Sequence, residues 1–435
     1  MNDKSNDLLQ YLSKTGAATS ADIQAALKLS QASVSRLAAL LQNEVVKLGA
    51  GRATRYAVAK PIGKYAAQQP VWMVAETGGV ARVGTLTYLE RSQVHIAADG
   101  INTLFSTSAK SELPWYLTPL RAQGFLGQVL AKSLAAHEVD ANPERWSTAE
   151  ILLSALFTRD APGALLLGDS AIKSAAPPRQ LPNTGLDAAL DEFAQDVAQH
   201  QSAGSSAGGE QPKFMALLEG KGHVLIKFSP PRGTPYGDRW GDLLVAEMLS
   251  HASLAAHGFR VAKAQVIQTK QRTYLLSERF DRVGHAGRKH LVSVGAAHAG
   301  LVKGSYTSWP ATCDALHLQG RLSEKDALSI SDIAQFGRLT GNTDMHSGNA
   351  SLFVLGETLA EIAKGRFELA PVYDMLPMRW RPTPDLGLPD YAPFSVSEVL
   401  ATDLARKAAK HFWASLAAHP LVSKPLREVA DTMAA

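Results

Sequence analysis

The string LTGNTDMHSGNASLFVLG, residues 339–356, constrains this chain more than any other part of it. It sets Asp344 five positions before Asn349, and a β-type apolar run follows at once. After a short hairpin, FELAPVYDML brings Asp374 to what reads as the end of a second strand. The side chains gathered this way are hard oxygen donors, which suit Mg²⁺ rather than Zn²⁺. Asp-x₄-Asn is also the spacing of a loop in which the Asp accepts the proton of an attacking hydroxyl and the Asn holds Mg²⁺. Two other readings compete. Asp344, His346, Asp374 and His298 could form a metallohydrolase cluster, but no His-x₃-His pair completes one. GNTDMHSGN could equally be an Asn/Asp/Gly-rich turn with no chemistry.

Three features upstream favour phosphoryl transfer by their order. SAGSSAGGEQPKF, residues 202–214, is a glycine-rich segment whose amides can cradle a phosphate. It lacks the G-x-x-x-x-G-K-[ST] spacing, and a flexible linker would have the same composition. HVLIKFSP, residues 223–230, reads as a strand with Lys227 among apolar neighbours. Glu247 stands twenty residues on, in the helical LLVAEMLSHASLAAHGF. A strand Lys paired with a helix Glu behind a glycine loop is how protein kinases hold the α- and β-phosphates. A Lys that merely snorkels to the surface would leave the same trace. TYLLSERFDR, residues 273–282, is a strand that runs into a charged stretch where a kinase hinge would lie.

The amino-terminal sixty residues are a different kind of object. The chain of 435 residues has 44 Lys and Arg against 40 Asp and Glu, a net charge of +4. Eight of those cations and only four of the acids lie in residues 1–60, so the rest of the chain is neutral. Leu8, Leu9 and Leu12 give a first helix, Ser20 is placed to cap a second, and Ser30 a third. Val34, Leu37 and Leu41 face inward on the third, which leaves Gln31, Ser33, Ser35 and Arg36 outward near its start. VVKLGAG and RATRYAV then read as a hairpin wing with Arg52 and Arg55 near the tip. The pattern predicts a winged helix-turn-helix whose third helix enters the major groove and whose wing meets phosphates.

The fold class expected is α+β. A winged helix over 1–60 is followed by a β/α subdomain over 61–185, reached by a connector between Pro61 and Pro70. A kinase-type N-lobe over 186–285 and a helical C-lobe over 286–435 complete it. LPWYLTPLRAQGFLGQVLAKSLA and ERWSTAEILLSALF read as amphipathic helices, with Trp115, Leu117, Leu120 and Phe125 as core. The single Cys313 excludes a disulfide framework. No secretory leader and no span of roughly 18 apolar residues is read, so a cytoplasmic location is expected, with no membrane partner.

SSAGGEQPKF, VLIKFSP, ERFDR, GNTDMHSGN and LAPVYDMLP together resemble the HipA family of serine/threonine kinase toxins of bacterial type II toxin–antitoxin systems. The resemblance covers roughly residues 70–415. It implies a two-lobed kinase-like fold that uses ATP and Mg²⁺. Asp344 becomes the catalytic base, Asn349 and Asp374 the Mg²⁺ ligands, and Lys227 the phosphate-contacting lysine supported by Glu247. Gly208, Gly209, Glu210, Gln211 and Lys213 become the phosphate loop, Glu278 to Phe280 the adenine hinge, and His346 and Tyr373 further nucleotide contacts. It implies autophosphorylation in that loop at Ser206, with Ser205 next, where added charge competes with ATP phosphates. It also implies a protein substrate such as an aminoacyl-tRNA synthetase.

The chain departs from the family at Met345, where a basic residue is common, and in its own amino-terminal winged helix. With that domain present, a separate antitoxin is not required, and a homodimer on a palindromic operator is one expected arrangement. A regulator that binds DNA and senses ATP without transferring phosphate is the other reading of the same features.

Overall fold

The structure is a computed structural model that describes residues 2–51, 54–107, 112–173, 179–199, 211–383, 387–397 and 401–435. It begins with α1 (Asn2–Thr15), β1 (Ala18–Thr19), α2 (Ser20–Leu27), α3 (Gln31–Leu40), β2 (Val45–Leu48) and β3 (Arg55–Val58), with β3 between β1 and β2. Leu8, Leu12, Ile23 and Val34 are fully buried in a small core of their own, closed by Leu37, Val45 and Tyr56. Ser30 caps α3 as its sequence suggests, accepting from the Ser33 amide at 3.2 Å. The cap of α2 is Thr19 rather than Ser20. Asp22 lies three residues after Thr19 and closes a capping box with it, whereas Ile23 could not do so for Ser20. Gln31, Ser35, Arg36 and Arg55 are exposed and Ser33 is half-buried; Arg52 lies outside the described residues.

This unit is fastened to the sheet that comes after it in the chain. The Ala17 amide donates to Gln93 Oε1 at 3.0 Å, the Arg91 guanidinium donates to the Lys14 carbonyl, and Lys60 N donates to the Tyr88 carbonyl at 3.0 Å. Leu48 and Ala57 of the hairpin pack on Leu89. One flank of α3, with Ser35 and Ala39, and Gln42 just beyond its end face a cleft of about 660 Å³ whose other wall includes Thr87, His95 and Asn102.

That sheet is antiparallel: β4 (Gln68–Val74), β5 (Val80–Leu89), β6 (Gln93–Ala98), β7 (Ile101–Ser106) and β8 (Leu165–Leu167), in the order β7-β6-β5-β4-β8. Between β7 and β8 the chain forms α4 (Gly124–Ser133) and α5 (Thr148–Phe157), and the single turn α6 (Ser170–Lys173) follows β8. Trp115–Leu120 is a 3-10 turn, not the start of a long helix. Pro119 offers no N–H to continue a helical ladder, and α4 begins only at Gly124. Its Trp115, Leu117 and Leu120 are buried all the same, with Phe125.

A second sheet follows: β9 (Gln180–Leu181), α7 (Leu186–Gln199), β10 (Lys213–Leu218), β11 (Gly222–Phe228), α8 (Pro235–Ala256), β12 (Ala264–Gln268) and β13 (Thr273–Glu278), in strand order β12-β13-β11-β10-β9. Side chains alternate across a strand. Phe214, Ala216, Val224, Ile226 and Phe228 share one face and a core with Leu190 and Ala194 of α7. That period turns Lys213 and Lys227, which stand directly opposite each other in the β10–β11 register, to the other face. Like charges paired across strands are unfavourable unless something negative lies between them.

The helical half contains the ribbon β14 (Arg282–Val283) and β15 (Gly287–Arg288), then β16 (Leu291–Ser293), α9 (Val294–Leu301), α10 (Trp309–Leu318) and α11 (Glu324–Leu339). β17 (Ser351–Val354), α12 (Leu359–Ala363), β18 (Phe367–Leu369), α13 (Asp403–Ala418) and α14 (Lys424–Ala434) complete it. Asp242 of α8 ties on the carboxyl-terminal helices, accepting from Ser423 N at 2.7 Å and Tyr391 Oη at 2.8 Å. Among the described residues no helix is long and apolar enough to cross a membrane.

Candidate active site

Lys227 projects from β11 into the space between the second sheet and α8, where it is only 4% exposed. Its Nζ donates to both carboxylate oxygens of Glu247, at 2.7 and 2.8 Å, and to Asp374 Oδ1. Burial alone would drive the ammonium to lose its proton, but Asp374 and Glu247 outweigh it and hold the lysine charged. Burial raises the Glu247 carboxyl despite Lys227. Burial also pushes Asp374 upward, yet Lys227 and then Lys213 overcome it and hold the carboxyl at about 2. Lys213 thus adds its positive field to that of Lys227 at the same two carboxylates. The cross-strand lysine pair has found its negative counterpart.

Asp374 is not at a strand end. β18 stops at Leu369, and Pro371 cannot donate to a ladder, so Asp374 lies five residues beyond in an irregular segment. Its φ is +52°, a left-handed backbone that costs a non-glycine residue about 1 kcal/mol and is held by its surroundings. The nearby holder is Asn342, which is 4% exposed. Its Nδ2 donates to the Asp374 carbonyl at 3.4 Å, and its Oδ1 accepts from the Asp344 amide at 2.9 Å. One side chain thus spans the two aspartates. Sequence reading passed over it, although an Asn two residues before an Asp is an Asx-turn signal.

The loop between them is pinned throughout. Asn349 Nδ2 donates to the Asp344 carbonyl at 2.9 Å, which leaves Oδ1 of that amide as the oxygen for a ligand. Trp309 Nε1 donates to the His346 carbonyl at 2.8 Å, and Tyr373 Oη donates to the Gly348 carbonyl at 2.7 Å. His346 is exposed, with Nδ1 accepting from the Gly348 amide at 3.0 Å. Met345 packs its sulfur toward Gly337 of α11, inside the core. His298 is elsewhere, bonded to Thr312 Oγ1 at 3.0 Å, and among the described residues no three His, Cys, Asp or Glu gather as a metal site. Asn349, Asp374, Lys227 and Lys213 instead offer hard oxygens and cations. That donor set fits Mg²⁺ held against phosphates.

Glu278 ends β13, and the Phe280 ring that follows lies 5.7 Å from the Tyr373 ring and 5.9 Å from Phe353. The segment around Phe280 is clamped from outside by a network that the sequence did not reveal. Arg279 Nη1 and Arg282 Nη2 donate to Asp160 Oδ1 at 2.6 and 2.7 Å, while Arg279 Nη2 donates to Asp281 Oδ2 at 2.9 Å. Burial pushes the Asp281 carboxyl up, but Arg279 and Arg282 hold it at about 2. Gln211 Nε2 is buried with no hydrogen-bond partner among the described residues. Ser205, Ser206, Gly208, Gly209 and Glu210 lie outside the described residues.

The HipA-like C-terminal domain family matches residues 205–435, and the YjjJ-like toxin middle domain family matches residues 65–176. Toxin YjjJ of Escherichia coli (strain K12) is 33% identical over 433 residues, covering 96% of this chain and 94% of that protein. A chain of the Shewanella oneidensis MR-1 toxin–antitoxin complex of HipA, HipB and operator DNA aligns with a TM-score of 0.55 and 16% identity. The alignment covers 84% of this chain and 95% of that one, and shows a shared fold.

Proposed function

We propose that this chain, which belongs to the HipA family of toxins, is an ATP- and Mg²⁺-dependent serine/threonine protein kinase that also binds DNA. The observation that carries the reading is Asn342 joining Asp344 to Asp374 while Asp374 rests on the Lys227–Glu247 pair. Bound ATP and Mg²⁺ supply the phosphoryl group and part of the counter-charge. Lys227 and Lys213 receive the phosphate oxygens, and Glu247 keeps Lys227 aimed. Asp344 takes the proton from the acceptor hydroxyl as its oxygen bonds to phosphorus and the bridging oxygen to ADP leaves. Phe280 and Tyr373 form an apolar rest for the base. A translation component such as an aminoacyl-tRNA synthetase is the acceptor that the family resemblance suggests, and Ser206 or Ser205 the internal one.

Purified chain given γ-labelled ATP and Mg²⁺ should label its own loop and proteins of a lysate. Absence of label from both would sink the reading and leave a protein that senses ATP without transfer.

The order helix, helix, capped helix and hairpin, with the excess positive charge concentrated there, supports a winged helix that reads DNA through Gln31, Ser33 and Arg36. The solved HipA complex contains HipB and operator DNA; here the chain brings its own reading head, so an antitoxin is not needed for contact. Arg55→Ala should weaken DNA binding equally for all sequences and lower the salt slope by about 1. A slope equal to that of the unaltered protein would remove Arg55 from the phosphates.

A further inference from the structure

Beside the catalytic loop lies a second cavity, of about 470 Å³, separate from the Lys227 cluster. That volume is ample for a specific ligand site. One wall is the turn His346–Gly348, the floor is α9 with the segment leading to Tyr306, and the opposite wall is Glu112 and Arg121. The turn is rigid, held by Trp309 on the His346 carbonyl and by the Gly295 amide on the Ser347 carbonyl at 2.9 Å. Helix α9 is pressed close on both sides. A Cβ at Gly295 would sit 2.6 Å from Ser347 Oγ, and one at Gly300 would sit 2.3 Å from the Trp115 ring. The middle region thus faces the catalytic loop across this space.

Reach places the cavity within a substrate's span. Asp344 and His346 are two residues apart, so their Cα atoms lie within about 7.6 Å. An extended peptide advances about 3.3 Å per residue. A chain with its hydroxyl at Asp344 would therefore carry the residue two or three positions away into the cavity. The charge there is set by Arg121, whose Nη1 meets Glu112 at 2.7 Å and whose Nη2 lies 3.9 Å from Glu144. Glu144 does not line the cavity but shares Arg121 with Glu112, so that guanidinium is divided between two carboxylates, and Glu112 remains 36% exposed at the cavity wall. Among the described residues Glu112 is the one carboxylate that lines the cavity, and its exposed part is where a cationic side chain would settle.

We propose that this cavity receives the acceptor segment of a protein substrate, an extended peptide with a basic residue two or three positions from the phosphorylated hydroxyl, held by Glu112. The assignment rests on the phosphotransfer reading above. It makes the middle region the part of the chain that selects the substrate.

The test uses full-length protein and serine-centred degenerate peptide libraries, with one flanking position at a time fixed as Arg, Lys, Asp or Glu. The unaltered protein should favour Arg or Lys at one such position by about tenfold, roughly the worth of one well-placed charge pair. Glu112→Gln should reduce that preference below about twofold with ATP affinity unchanged. Ala299→Trp, on an exposed helix position lining the cavity, should lower transfer to every peptide by about tenfold or more, again without loss of ATP binding. A preference that survives Glu112→Gln, or normal peptide transfer by Ala299→Trp, overturns the proposal. So does a protein that labels its own loop yet labels no peptide, and in that case phosphotransfer itself stands. A protein that labels nothing at all, itself included, takes the phosphotransfer reading down first.

Discussion

Asp344→Ala lowers phosphate transfer by about 10²- to 10⁴-fold in kcat, the range that a positioned general base contributes, while ATP affinity changes by less than about twofold. The separation follows from how Asp344 is held. Its amide is bound by Asn342 Oδ1 and its carbonyl by Asn349 Nδ2, so the main chain keeps its course without the side chain. The carboxylate itself has no hydrogen-bond partner among the described residues and is half-buried, so nothing in the fold depends on it. Thermal unfolding should therefore shift by no more than about 0.5 kcal/mol. Initial rates with labelled ATP, read beside a titration of ATP binding, check both halves. Transfer within tenfold of the unaltered protein would remove Asp344 from the role of base.

Glu247→Ala acts through a different physics and should damage both stability and activity. Glu247 is 1% exposed and accepts from Lys227 through both oxygens. Removing one partner of a buried ion pair strands the other, at a cost of about 3–5 kcal/mol. Among the described residues Lys227 then has only Asp374 for a counter-ion, and an Asp374 fully engaged by lysine is a poorer ligand for Mg²⁺. The expected result is a clear drop in the unfolding midpoint together with a rise in the Mg²⁺ concentration needed for half-maximal rate. Replacing the pair together, as Lys227→Met with Glu247→Leu, separates the two effects. Two apolar residues of similar volume recover most of the stability, and transfer stays lost because no cation meets the phosphates. A double variant that recovers transfer along with stability would show the pair to be scaffold.

The Lys227 strand and the Glu247 helix were legible because both obey simple periods. Alternation along β11 turned Lys227 away from the face of Ile226 and Phe228, and the apolar run around Glu247 marked its segment as a helix, whose burial of that carboxylate only the structure shows. Asp374 was misplaced because FELAPVYDML looks continuous in hydrophobicity, while Pro371 ends the ladder that hydrophobicity alone would extend. Asn342 was overlooked because a turn residue gives no sign of which distant main-chain group its side chain will also reach. The Asp160 clamp on Arg279 and Arg282 joins segments more than a hundred residues apart in sequence, and such pairings have no local trace. Thr19 displaced Ser20 as a cap for a reason that the sequence does contain, since Asp22 is in phase with one and not the other.

The fastening of the amino-terminal unit to the sheet behind it has a geometric consequence. Gln93 holds Ala17, Arg91 holds Lys14, and the connector past Ala59 is itself bonded along β5 at Leu89 and Tyr88. A joint bonded at these points should let the chain tumble in solution with one rotational correlation time rather than two. On the DNA reading proposed above, the enzyme is a bracket of fixed angle bolted to the double helix. Two copies on inverted half-sites would then hold their catalytic loops at a separation and phase dictated by the number of base pairs between the sites. Inserting half a helical turn into such an operator would swing one enzyme to the opposite side of the duplex from the other.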